Sequence, residues 1–173
     1  RLETRNSNLE GKGEITIRDL IRTALRMRPD RIIVGEVRGA ETIDMLQAMN
    51  TGHDGSLSTG HANSTSDMLS RLETMVLSSS TLPLEAVRKQ IASAIDIIIF
   101  LSRLRDKSRR TMEISEVLGI ENGHIKLNPL FIFEETYTDN INSSDKVVGS
   151  LKRTSNSLVN KQKLWNSGIF EEI

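Results

Sequence analysis

The chain has 173 residues, enough for one domain with a sizeable core. Lysine plus arginine and aspartate plus glutamate each total 23, so the net charge is zero, which argues against a protein held on nucleic acid mainly by bulk charge. With no cysteine there are no disulfides and no thiolate metal sites.

In chain order, "RLETRNSN" opens without an initiator Met or a signal-peptide pattern, and we expect a piece of a longer chain. "TIRDLIRTALRMR", 16–28, predicts a helix. Thr16 and Asp19 are spaced as a capping box with Asp in place of Glu, and Ile17, Leu20, Ile21, Ala24 and Leu25 share one face. Pro29 ends it. "RIIV", 31–34, is a short β-branched run of the kind buried on both faces of a parallel sheet. "AETIDMLQAMN" predicts a helix with Thr42, Met45, Leu46 and Met49 inward and Gly52 at its end. "GSLSTGHA", 55–62, is a second strand.

"STSDMLSRLETMVLSSS" predicts a helix with Ser64 and Asp67 as a capping pair and Met68, Leu72, Met75 and Val76 inward. "LPLEAVRKQIASA" predicts another, with Pro83 in its first turn and Leu84, Val87, Ile91 and Ala94 buried. "IDIIIFLSRL" is the third strand. The longest apolar run, "AIDIIIFL", carries Asp96 and falls far short of the roughly 20 residues of a membrane span. "RTMEISEVLGI" and "HIKLNPLFIF" flank "ENG" as a hairpin. Alternating helices and strands imply an α/β fold with a parallel sheet flanked by helices and a β-hairpin attached. Residues 1–133 would form this domain, 134–146 a polar linker, and 147–173 a small C-terminal helical appendage.

"RIIVGEVRG" ends an apolar strand in a carboxylate beside a guanidinium. Ligands of open α/β sheets bind at the carboxyl ends of strands, and Glu36 falls at that edge. There it can orient a water or move a proton. It can equally cap the next helix or pair with Arg38, and sequence position leaves both readings open. His53 and His61 then fall within nine positions, near the same predicted edge, with Thr51, Ser58 and Thr59 among glycines that allow close backbone approach. A zinc reading has little behind it, for there is no HExxH and no closely spaced triad. Arg18, Arg22 and Arg26 recur every four residues, a stripe drifting about 40° per step, joined by Arg5 and Arg38. A solvated helix face is the plain reading. Glu14, Asp19 and Asp30 are the only acids close in sequence, so an anionic ligand with several phosphate oxygens is the functional one.

The stretch from "LETRNSN" through "RMRPDRIIVGEVRG" and "MNTGHDGSLSTGHAN" resembles the core of the secretion ATPase superfamily, the GspE-like motors of type II and type IV secretion and pilus assembly. Its wording is closest to the Flp/Tad pilus assembly branch, and the likeness runs to about Phe133. The resemblance implies the C-terminal half of a RecA-like P-loop ATPase, hexameric, with ATP and Mg²⁺ at subunit interfaces. "RIIVGE" would be its Walker B segment, with Gly35 in the Asp place and Glu36 polarising the attacking water. "TGHDGSLSTGHAN" would be its histidine box, with His53 and His61. Arg5, Arg18, Arg22 and Arg26 would be candidate arginine fingers, and Thr59 and Arg38 the nucleotide-binding residues of this piece.

No G-x-x-x-x-G-K-[ST] occurs in the chain, and "GKGE" is not one. ATP and Mg²⁺ would therefore be held mainly by upstream residues, and the chain alone is expected to be inactive. The implied partners are further copies of the chain and an inner-membrane platform protein, on the cytoplasmic face of the bacterial inner membrane. A conjugative DNA-transfer motor of the same superfamily, or a non-catalytic interaction domain retaining the fold, are the alternatives. A nucleic-acid-binding module has little support, since one Trp, one Tyr and four Phe leave few stacking platforms.

Overall fold

Helix α1 (Ile17–Arg26) starts where Thr16 and Asp19 close the expected capping box. The Thr16 amide donates to the Asp19 carboxylate at 3.0 Å, and the Asp19 amide donates to Thr16 Oγ1 at 3.2 Å. Met27 caps the other end, Arg28 takes a left-handed φ of 52°, and Pro29 cannot continue the helix. Ile21 is the residue of its apolar face that is fully buried. The computed structural model describes residues 1–136 and 146–170.

The chain is a mixed α/β protein of two compact units. One comprises Arg1–Asn63 and Asp67–Ile95, the other Ser64–Ser66 and Asp96–Ile173. In the first, strand β1 (Ile33–Val34) pairs in parallel with β2 (Leu57–Ser58), and helix α2 (Glu41–Met49) is the crossover between them. Helices α3 (Thr65–Leu77) and α4 (Leu84–Ala94) follow, and Leu46, Leu72, Val76, Val87 and Ile91 form the centre of the core. Leu84, expected inward, is exposed at the first turn of α4. The β1 strand was expected to be buried on both faces. Instead Ile32 and Val34 are buried, whereas Ile33 and its partner Leu57 are 71% and 62% exposed. Alternation is what a strand covered on one side shows.

The second unit departs further from the sequence-based expectation of one parallel sheet. Strand β3 (Ile97–Arg103) does not join β1 and β2. It pairs antiparallel with β4 (Arg109–Glu121), which pairs with β5 (His124–Glu135), which pairs with β6 (Gly149–Arg153). The reason is the turn after β3. The Leu104 amide bonds Ser108 O, Lys107 takes a φ of 67°, and the Asp106 carboxylate accepts from the Ser108 amide and hydroxyl. So short a connection can only return the chain antiparallel. The β4–β5 hairpin is as expected: Asn122 and Gly123 both have positive φ, as a two-residue type I′ turn requires.

Residues 134 and 135 end β5, and most of the expected linker, 137–145, lies outside the described residues. The tail is not simply a helical appendage. It supplies edge strand β6 before the five-residue helix α5 (Gln162–Asn166). Its approach to the sheet is held by Glu116, which is 1% exposed. This carboxylate accepts from Asn128 Nδ2 at 3.0 Å and from the amides of Val159 and Asn160 at 3.0 and 2.6 Å. A buried charge is tolerable when hydrogen-bonded in this way. Among the described residues no helix is long and apolar enough to cross a membrane.

Asp106 also accepts from the Val147 amide at 2.9 Å, tying the tail to the β3–β4 turn. Hydrogen bonds from Ser108 and then Val147 pull its pKa from 3.8 to about 2. A depressed carboxylate pKa contributes stability that is complete above the ordinary value and lost as pH falls toward the folded one. Asp106→Asn should therefore lower stability at neutral pH and flatten its decline between pH 3.8 and about 2. Chemical denaturation across that range measures both.

Candidate functional site

Past β1 the chain turns through Gly35, Glu36, Val37 and Arg38, and three bonds tie the β1 segment and this turn to β2 and the residues leaving it. Ile32 O accepts from the Leu57 amide at 3.1 Å, and Thr59 O from the Val37 amide at 3.1 Å. Thr59 Oγ1 donates to Gly35 O at 2.6 Å. The hydroxyl is thus spent on backbone, and Thr59 acts on the site by fixing the residues either side of Glu36. Two residues further on, His61 reaches Glu36.

The Glu36 side chain keeps 24% of its surface exposed, and each oxygen has a neighbour. Oε2 lies 2.6 Å from Arg38 Nη2, and Oε1 lies 2.9 Å from His61 Nε2. Oε1 is shut off from solvent, and its approach to His61 is close without the alignment of a hydrogen bond. The Arg38 guanidinium holds the Glu36 carboxyl below the ordinary glutamate range. Burial opposes this, and the charges of His61 and Arg71 add smaller pulls downward. Glu36 in turn raises the pKa of Arg38. The site therefore holds an ionised carboxylate with one oxygen toward imidazole and the other toward guanidinium. Of the plain alternatives for Glu36, the pair with Arg38 is present. No side chain caps the start of α2; Glu41 Oε1 instead accepts from the amides of Arg38 and Gly39, just ahead of the helix, at 2.6 and 3.1 Å.

The other expected site residues are distributed differently. His53 does not join Glu36: its Nδ1 lies 3.0 Å from Ala48 O and 3.4 Å from Thr51 Oγ1, fastening the loop to the end of α2. Among the described residues no group of three or more His, Asp or Glu could hold a metal ion. Arg5 sits in an N-terminal hairpin, paired with Ile15 through both backbone bonds and donating from Nε to Gly13 O at 2.6 Å. Arg18 and Arg22 both grip Asp44 of α2, at 2.5 and 3.2 Å. The Asp44 side chain is only 8% exposed. The arginine stripe is thus largely a clamp between α1 and α2. Arg26 alone of the three has an exposed side chain with no hydrogen bond or ion pair among the described residues.

Sequence reading missed Asp44, which lies 22 and 26 residues from its arginines, and it missed Arg71. Arg71 of α3 acts on Glu36 electrostatically and lines an open cleft of about 540 Å³ with Arg38, Asn63, Asp67 and Thr74. The one signal for Arg71 was its place four residues after Asp67 on the polar face of α3.

Residues 2–149 match the family model described as Type II/IV secretion system protein, and the chain belongs to that family. A putative conjugal transfer protein of Mycobacterium tuberculosis is 46% identical over 126 residues, covering 73% of this chain and 35% of that protein. The type IV secretion system protein PtlH of Bordetella pertussis is 38% identical over 99 residues, covering 56% of this chain and 29% of that one. Among solved structures, the VirB11 ATPase from the Brucella suis type IV secretion system, in complex with sulphate, superposes with a TM-score of 0.56. It is 32% identical and matches 59% of this chain and 32% of its own. The chain thus spans about a third of the length of the curated relatives it matches.

Asp44 joins Arg18 and Arg22 across the α1–α2 contact, and with 36% and 63% of their side chains exposed both guanidiniums rehydrate when it is removed. Asp44→Ala should therefore cost about 1 kcal/mol of stability, read as a lower midpoint in urea. Arg26→Ala, at an exposed position, should leave the midpoint within about 0.5 kcal/mol of the parent.

Proposed function

We propose that this chain supplies the water-orienting half of the active site of a secretion ATPase with a RecA-like P-loop core. The observation that carries the reading is the placement of Glu36 at the carboxyl end of β1, with His61, from just past the adjacent parallel strand, 2.9 Å away. A carboxylate in that position aims and polarises a water for in-line attack on a terminal phosphate. His61 holds one oxygen and registers a change at the other. Thr59 and the backbone bonds around it keep Glu36 in register with His61. Arg38 shapes the site through Glu36. Of Arg5, Arg18, Arg22 and Arg26, the exposed Arg26 is best suited to meet a phosphate across a subunit interface. His53 then acts on the loop rather than on the nucleotide.

ATP and Mg²⁺ are the proposed cofactors. Mg²⁺ is usually held by one or two carboxylates together with phosphate oxygens and water, and Glu36 is already engaged by Arg38 and His61. Glu36 fits the water-orienting role once Oε2 is released by Arg38, and the metal's ligands and the phosphate loop would come from the remainder of the complete protein. When bound, the metal would neutralise charge on the phosphates. On this reading the chain alone turns over no ATP. In the complete protein it works as a homo-oligomer, a hexamer, against a platform protein on the cytoplasmic face of the inner membrane. Flp/Tad-type pilus assembly is the first candidate for its task. Relatives named for conjugal transfer support a DNA-transfer motor as the second. The chemistry at Glu36 is the same in both, and the cargo differs.

In the complete protein, Glu36→Gln should keep ATP binding and lower turnover by roughly 10²–10⁴-fold, the range of a lost acid–base group. Phosphate release and nucleotide binding, measured side by side, check it, and undiminished turnover would remove Glu36 from the mechanism.

A further inference from the structure

Glu36 cannot orient a water in the arrangement described. Oε1 is closed to solvent and faces His61, so Oε2 is the oxygen through which a water can be reached. Oε2 is the atom that Arg38 holds at 2.6 Å. The guanidinium also lowers the carboxylate's proton affinity, which weakens it as a base. Arg38 has to leave for Glu36 to act.

A second carboxylate lines the cleft that Arg38 lines. Arg38 is a long side chain, 74% exposed, and exposed ion pairs of this kind are worth little. Exchange of partners therefore costs little. Arg38 lines the cleft beside α3, and Asp67, an exposed carboxylate on the first turn of that helix, lines it too. Arg71, in the same cleft, keeps a positive charge acting on Glu36 when Arg38 moves off, so the carboxylate stays ionised.

We propose that Arg38 is a positioning residue with two carboxylate partners: Glu36, which it blocks in this structure, and Asp67, to which it passes to free Oε2 for water. This rests on the ATPase reading above. It makes Asp67, which touches neither nucleotide nor water, necessary for full turnover. It also makes Arg38 the reason for that need.

The test uses the complete protein and steady-state ATP turnover. Asp67→Asn should lower kcat about tenfold with KM for ATP unchanged, and Asp67→Glu should recover most of the loss. Adding Arg38→Gln to Asp67→Asn should raise kcat above that of Asp67→Asn alone, because no guanidinium then holds Oε2. A purely structural role for Asp67 would not give that reversal. Thermal midpoints are measured alongside, because Asp67 sits in the first turn of α3; where Asp67→Asn melts below the parent, Asp67→Ser carries the same comparison. Unchanged kcat in Asp67→Asn, or no relief from Arg38→Gln, overturns the exchange. Glu36→Gln separates the two levels of failure. If it abolishes turnover while Asp67→Asn is silent, only the exchange is wrong. If it leaves turnover intact, the ATPase reading falls with it.

Discussion

The site depends on the short parallel pairing of β1 and β2 and on the bonds that continue it beyond the strands. Two residues per strand are a weak ladder by themselves. The Leu57 and Val37 amides extend the pairing on either side, and the Thr59 hydroxyl closes it over Gly35. With those bonds made, Glu36 and His61 have to emerge side by side. Without them the two would sit on independent loops, and a 2.9 Å approach would be a matter of chance. Parallel pairing also explains why helix α2 lies between the strands in sequence, and why its own packing matters to a carboxylate it does not touch.

That packing is unusual in using charge where an apolar stripe would serve. Asp44 is buried among apolar neighbours on α2, and two arginines of α1 meet it. A buried carboxylate with two guanidiniums fixes the relation of the two helices more sharply than it stabilises them. The tail of the chain uses the same device: Glu116, inside the antiparallel sheet, takes its partners from Asn128 and from the 159–160 backbone. In both places a charge is kept inside because its donors come from a distant part of the chain, which makes each a specific fastening point.

These fastenings mark the limit of what the sequence reveals. Local chemistry was legible: the Thr16–Asp19 capping box, the Asn122–Gly123 turn, the helices of the first unit, and Glu36 at a strand end. So was the family, because two motifs stand in order at the right spacing. Contacts made across long separations were not. The arginine stripe looked uncompensated because Asp44 lies on another helix. The third strand, β3, looked like part of the parallel sheet because its apolar run says "strand" and not which partner it takes. The 104–108 turn decides that, and its signals are short. The two histidines looked equivalent, and only the fold sends one to Glu36 and the other to the carbonyl of Ala48. In sequence Asp67 reads only as a capping partner of Ser64, and Arg71 is not singled out at all; the fold sets both beside Arg38 in one cleft.

The central claim is that Glu36 aims a water at a terminal phosphate, and the most direct measurement is a crystal structure of the complete protein with a non-hydrolysable ATP analogue. A water should bridge Glu36 Oε2 and the terminal phosphate, with Arg38 withdrawn from that oxygen and His61 still beside Oε1. A bound analogue whose terminal phosphate lies remote from Glu36, with the Glu36–Arg38 pair unbroken, would contradict it.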